Sequence, residues 1–305
     1  MSDPIDVLGL GCAAVDDVLH VVRFPAADAK ERVSRSERRF GGLTGAALVT
    51  AARMGASCAY AGCLGPDESS GHIAGNFARE GINLDHAPRP ADGRVVHSVI
   101  VVGAEGATRN IFFEAQGRIG AHETEPGEAV IRRAKVLFID QYGMAGNLRA
   151  ARLARDAGIA VVADFEDASD PLFAPVLALV DHLVLSASFA LPLTGRGTAA
   201  EAATALWRPD RAAVVITCGA EGCWSLRAAD AGTPRHHPAS PVRAQDTTGC
   251  GDVFHGAYAA RLAAGEPFAA RVRFSSAAAA LKAARPGIPR RDEVERFLLD
   301  NPPVP

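Results

Sequence analysis

The chain has few aromatic side chains: two Trp and three Tyr accompany thirteen Phe, 6% of 305 residues. A pocket built to grip a flat base between rings would need more. Cysteine is present without pattern. The six thiols at 12, 58, 63, 218, 223 and 250 contain no Cys-x-x-Cys pair, and no histidine cluster completes a zinc motif. The pair His236-His237 lies in a polar connector and reads as solvated surface. Charge of one sign is missing too. A formal net charge of −3 gives no footprint for nucleic acid. No apolar run reaches the roughly 20 residues of a membrane span. Asp3 and Asp6 stand where a secretory signal would carry basic and then apolar residues. Scattered thiols inside apolar runs suit a reduced, cytoplasmic protein.

What is there suits a sizeable core: 48% hydrophobic and 22% charged residues, enough for one large α/β domain or two small ones. The most informative stretch is Gln245-Asp-Thr-Thr-Gly-Cys-Gly-Asp-Val-Phe-His-Gly256. It reads as a small-residue turn opening into a helix from Asp252 to about Ala264, stopped by Gly265. Unpaired N–H groups of a first helical turn, at the positive end of the helix dipole, attract an anion. Asp252 stands at the rim of that site, where a carboxylate can take a proton. The same pattern also fits an ordinary Gly-rich turn with Asp as a helix-start residue.

Asp246-Thr-Thr-Gly-Cys-Gly-Asp252 resembles the C-terminal signature of the ribokinase-like (PfkB) carbohydrate kinases, Asp-Thr-x-Gly-Ala-Gly-Asp, with Cys250 in the usual Ala position. The resemblance implies that Asp252 is the base for the acceptor hydroxyl. Gly249, Cys250 and Gly251 then form the anion hole for the γ-phosphate of ATP. Asp246 and Thr248 can also frame a K+ ion, as in some relatives. His255, on the same helical face as Asp252, reads as a structural histidine.

The resemblance runs from Ile5 to about Leu299. Ile5–Cys12 reads as a buried strand. Its Gly9-x-Gly11-x-x-Ala14 matches a dinucleotide fingerprint, but the β-branched run 15–24 follows where that fingerprint demands a helix. Asp16, five residues after Gly11, takes the family's sugar-binding role, with Asp17 as the fallback. Gly41-Gly42 opens an alanine-rich helix that would line the sugar site, although Ala46 replaces the family's sugar-contacting Asn. The Gly-x-x-Gly-x-Asp pattern around Gly62, Gly65 and Asp67 reads as structural punctuation. The β-rich runs 94–102 and 109–113 form a hairpin. With the strands near 15–22 and 33–40 they imply a small lid sheet, approximately residues 13–40 and 93–115, often used by relatives to dimerise. Arg109 is placed to reach the transferring phosphate.

From about Glu125 strands alternate with helices at 136–139, 159–163, 183–185 and 213–217, which implies right-handed βαβ units and a parallel sheet. Ligands then bind beyond the carboxyl ends of the strands. Asp140 and Asp164 lie at such ends; the first is a candidate sugar contact. Asp164 with Glu166 is a candidate for the Mg2+ shell. The family's Asn-x-x-Glu is replaced by Ser186 and Phe189, although ketohexokinase-like members also carry Ser. Thr217, Gly219 and Gly222 are expected to line ATP, and the small-residue tail helix would pack against adenine. The signature and tail look most like the sulfofructose kinase branch. Tyr142 stands where that branch's sulfonate-binding Arg is expected, so its substrate is not carried over.

The expectation is a single ribokinase-like domain over 1–305: a three-layer α/β sandwich with a mostly parallel central sheet and a β-sheet lid. It would be an ATP- and Mg2+-dependent kinase acting on a primary hydroxyl of a small sugar or sugar derivative, and a homodimer through its lid. A nucleoside kinase on the same fold, or a catalytically silent sugar or nucleotide sensor, remain the alternatives.

Overall fold

The computed structural model describes residues 4–105 and 108–302. Its strands are β1 (Ile5–Leu10), β2 (Ala14–Val21), β3 (Arg35–Gly41), β4 (Cys58–Tyr60), β5 (Val96–Gly103), β6 (Thr108–Glu114), β7 (Ala134–Ile139), β8 (Ala160–Ala163), β9 (His182–Ser186), β10 (Ala213–Thr217), β11 (Cys223–Leu226) and β12 (Arg235–His237). The helices are α1 (Leu43–Arg53), α2 (Glu68–Arg79), α3 (Glu128–Ile131), α4 (Met144–Asp156), α5 (Phe173–Leu177), α6 (Ala187–Thr194), α7 (Ala199–Leu206), α8 (Cys250–Ala263), α9 (Phe268–Ala284) and α10 (Arg291–Asp300).

The central sheet runs β12-β11-β10-β9-β8-β7-β1-β4, parallel except for β11 and β12. Its strands are apolar throughout because both faces are covered. Val136 and Phe138 of β7 pack with α1, α8 and α9 on one side. Leu137 and Ile139 pack with α4, α5 and α7 on the other. The architecture is an α/β sandwich of three layers with a mostly parallel central sheet and a separate small sheet, as expected. His236 and His237 lie in β12, not in a connector: His236 packs on Trp224 and His237 bonds to Ser225 at 2.8 Å.

Strand order reverses between β7 and β1, since β4 lies beyond β1 while β8 to β12 run the other way. Such a switch point leaves a crevice at the carboxyl ends of the strands. Asp140 fills the base of it. Its Oδ2 accepts the Cys12 N–H and the Thr44 hydroxyl, each at 2.8 Å, and its Oδ1 accepts the Tyr142 N–H at 2.8 Å. One buried carboxylate thus joins the ends of β1 and β7 to the start of α1.

The second sheet, β3-β2-β5-β6, stands apart from the first and grows directly out of β1. β2 pairs antiparallel with β3 and parallel with β5. At the hinge, Gly42 has φ +88°, and a Cβ there would lie 2.7 Å from the Ala13 backbone. Glycine meets both demands at once. Asp67 caps α2 by accepting the Ser70 N–H at 3.0 Å, which is the structural role read from its motif.

Candidate active site

α8 begins at Cys250, two residues earlier than the sequence pattern suggested, with Gly249 as its N-cap at φ +76°. A left-handed residue there turns the chain sharply into the helix and aims the first-turn N–H groups outward. Among the described residues, none accepts a hydrogen bond from the N–H of Gly249, Gly251 or Asp252. These are the donors that a helix start offers an anion. A Cβ on Gly251 would have nothing within 4 Å, so this backbone faces open space. A Cβ on Gly249 would lie 3.6 Å from the Asp252 carboxylate. Cradle and carboxylate are therefore adjacent. Cys250 sits half-buried at the first helical position, and burial pushes its thiol up, out of the reactive range.

The carboxylates around the cradle repel one another. Burial, and then the nearby Asp164 charge, hold Asp252 well above the usual carboxylate range. Burial and the Glu166 charge do the same to Asp164 at the end of β8. His255 lies beneath both. Its Nδ1 is 2.8 Å from the Gly251 carbonyl and 3.2 Å from Asp164, and its Nε2 is 2.9 Å from the Val184 carbonyl. Only an imidazolium could donate to both carbonyls, while burial works against that charge. The ring spans the α8 start and β9, buried between them, the structural placement expected of it.

In the second sheet, Asp16 and Gly41 touch: a Cβ on Gly41 would lie 2.5 Å from Asp16 Oδ2. Asp16 is partly buried, raised by that burial, and close enough for its charge to act on Asp252. Asp17 points the other way. Arg38 grips it at 2.8 and 3.0 Å and His97 at 2.9 Å, which lowers it to about 2. The fallback role for Asp17 is therefore withdrawn. Asp140 also differs from expectation. It is 0% exposed and its oxygens are taken by three donors, so it lies under the pocket floor, raised by burial to about 6. Arg109 pairs with Val102, which is level with His20 of β2. That register lies four residues beyond Asp16, about 13 Å along a strand. The Arg109 side chain lies outside the described residues.

Two cavities meet at Thr217, Gly219, Thr247 and Gly251. The larger, about 1020 Å³, holds Asp164, Glu166, Ser186 and Asp252 in its wall. The smaller, about 350 Å³, is an apolar slot that includes Gly222 and Val242. One wall is the stripe Ser276, Ala279, Ala280 and Ala283 of α9, spaced to share one helical face. Ser186 caps α6 by accepting the Phe189 N–H at 3.3 Å. Phe189 itself packs edge-on to Phe173 in the core, which explains how the second departure is tolerated. Among the described residues, no three His, Cys, Asp or Glu side chains gather to hold a metal ion.

A model of the pfkB family carbohydrate kinases matches residues 7–290. The chain belongs to that family. Such a kinase is a phosphotransferase with a sugar hydroxyl as acceptor. It is similar to a ribokinase of Haemophilus influenzae, 28% identical over 303 residues, 95% of this chain and 97% of that one. It is also similar to a ribokinase of Mus musculus, 32% identical over 233 residues, 73% and 71% of the two chains. In fold it matches ribokinase from Thermotoga maritima with TM-score 0.85 and 23% identity, covering 97% of this chain and 99% of the other. Among the described residues no helix is long and apolar enough to cross a membrane.

The K+ frame read from the kinase's sequence is occupied differently. Asp246 Oδ1 accepts the Thr248 N–H at 2.9 Å, but Oδ2 already faces Arg39 at 3.4 Å and Lys282 at 3.9 Å. A further cation would meet two positive charges. Neither Arg39 nor Lys282 was singled out from sequence. Lys282 carried a signal all the same: it is the lone charge in the otherwise small and apolar run Phe274–Ala284.

Two consequences are measurable. A carboxyl held above its unfolded value costs stability once pH exceeds that unfolded value, and the cost is complete above the folded one. Asp164→Asn is therefore expected to raise the thermal midpoint at pH 8, with the gain vanishing near pH 4; an equal gain at both would contradict this. Gly251→Val is expected to unfold within about 0.5 kcal/mol of wild type, since Val is no worse than Gly in a helix. Turnover should still fall about 10²-fold, because the new side chain enters the cradle.

Proposed function

We propose that the protein transfers the γ-phosphoryl group of ATP to a primary hydroxyl of a small sugar or sugar derivative, with Asp252 as the base. The observation that carries this reading is the Asp252 carboxylate standing beside three N–H groups that have no acceptor among the described residues. The adenine would lie in the small-residue slot along α9, with the phosphates passing Thr217 and Gly219 toward Gly251. Asp16 and the Gly41-Gly42 backbone would hold the acceptor. Ala46 is buried and offers no polar contact, so the sugar hydroxyl that the usual Asn would bind goes unrecognised here.

Phosphoryl transfer depends mainly on position and charge neutralisation. The acceptor oxygen forms its bond to phosphorus as the bond to the bridging oxygen of ADP breaks, and the hydroxyl proton passes to Asp252. A raised carboxyl is a better proton acceptor than an ordinary one. Asp164 and Glu166 alone are too few to cage a divalent ion; they fit one that arrives on the nucleotide and is held through water. Mg2+ there would supply charge neutralisation of the phosphates.

Asp252→Asn is expected to lower kcat by roughly 10²–10⁴-fold, measured as ADP release over ketoses, aldoses, sugar acids and nucleosides. A rate within about threefold of wild type would refute the base assignment. Release with nucleosides alone would move the substrate to that class, and no release with any acceptor would favour a sensor. Because the base must be ionised, kcat/KM should fall as pH drops, at a pH above the ordinary Asp range.

We also read the lid as a dimer surface. Ile111, Phe112 and Phe113 on edge strand β6 are 47%, 56% and 66% exposed, and Phe24 stacks on Phe112. A contiguous apolar edge of this kind invites pairing with a second copy. Light scattering should give twice the chain mass, and Phe112→Asp should give a monomer; a wild-type monomer would end this reading.

A further inference from the structure

The loop that forms the anion cradle rests on α9. The Ala283 carbonyl accepts the N–H groups of Gln245 and Asp246 at 2.7 and 3.2 Å. The neighbouring Lys282 is 9% exposed, and its Cε would lie 3.9 Å from a Cβ placed on Gly249. Its ammonium is 3.9 Å from Asp246 Oδ2. Among the described residues it pairs with no other carboxylate. Arg39, the second cation on Asp246, also holds Glu37 at 2.5 Å, and Glu37 in turn holds Arg35 at 2.6 Å. Arg39 is thus shared between Glu37 and Asp246, whereas Lys282 faces Asp246 alone. A buried charge acts on a neighbouring anion through less screening than one in water.

We propose that Lys282 is a tethered monovalent cation: its ammonium holds the Asp246–Gly249 loop and supplies the positive charge that a K+ ion framed by Asp246 and Thr248 would otherwise bring. The protein then needs no monovalent ion. Lys282 is a positioning residue on this account, acting through the loop without touching the acceptor. The charge also explains the Asp246 geometry. One oxygen shapes the turn through Thr248 N–H, while the other is left to the two cations. The inference rests on the kinase reading for its activity arm only.

The test compares wild type, Lys282→Ala, Lys282→Gln and Lys282→Arg in tetramethylammonium buffer, with and without KCl or methylammonium. Wild-type kcat should be the same in both buffers. Lys282→Ala should lose about tenfold, less than the roughly 10²–10³-fold seen when a direct oxyanion donor is removed. K+ or methylammonium should restore much of that loss, and Lys282→Arg should stay active without K+. Rescue by a free cation is a response that a purely packing role would not give. ADP affinity by calorimetry supplies a second readout that needs no turnover: it should become K+-dependent only when Lys282 is replaced by Ala or Gln. Activation of the wild type by K+ would overturn the proposal. So would a Lys282→Ala loss that no cation repairs, or unchanged kcat and ADP affinity in both neutral variants. Absence of ADP release from the wild type with every acceptor would instead strike at the kinase reading, and the calorimetry would still decide this one.

Discussion

The buried carboxylate of Asp140 is the joint on which the site is built. At the point where strand order reverses, it accepts hydrogen bonds from Cys12, Thr44 and Tyr142. Those donors belong to the end of β1, the start of α1 and the turn after β7. The second sheet leaves β1 immediately beyond Cys12, so the same carboxylate fixes the point at which that sheet departs. Burial raises Asp140 to about 6 even with three donors present. The hydrogen bonds offset only part of the desolvation. A carboxylate kept in such a place serves geometry, since its burial costs more than its neutral donors return.

Above that floor the electrostatics divide. On one side, burial and then the charges of Asp164, Glu166 and Asp16 keep Asp252 proton-seeking. The α8 N-terminus, with Lys282 behind it, makes the other side positive. A migrating phosphoryl group would pass from the positive wall toward the negative one. Each wall destabilises the fold if left uncompensated, which is a common feature of sites arranged for chemistry.

Much of this was legible in the linear chain. Alternating helices and strands after Glu125 announced the parallel sheet, and strand β10 was delimited correctly at Ala213–Thr217. The cradle stood out because small residues before a helical run have one simple physical use. Asp16 and Asp17 were not separable in that way. Adjacent strand residues point to opposite faces, and which face meets the pocket depends on how β2 pairs with β3 and β5. Arg38 and His97, the partners that remove Asp17 from the site, are 21 and 80 residues away in sequence.

Local order therefore came from the sequence alone: the periodicities, the glycine turn into α8, and the stop at Gly265, which adopts φ +73°. These depend on a residue and its near neighbours along the chain. Burial and charge compensation do not. That Asp140 lies under the floor, and that Lys282 reaches the loop of Asp246, were decided only by packing distant elements together. Desolvation and Coulomb terms depend on distance in space, and chain order does not encode it.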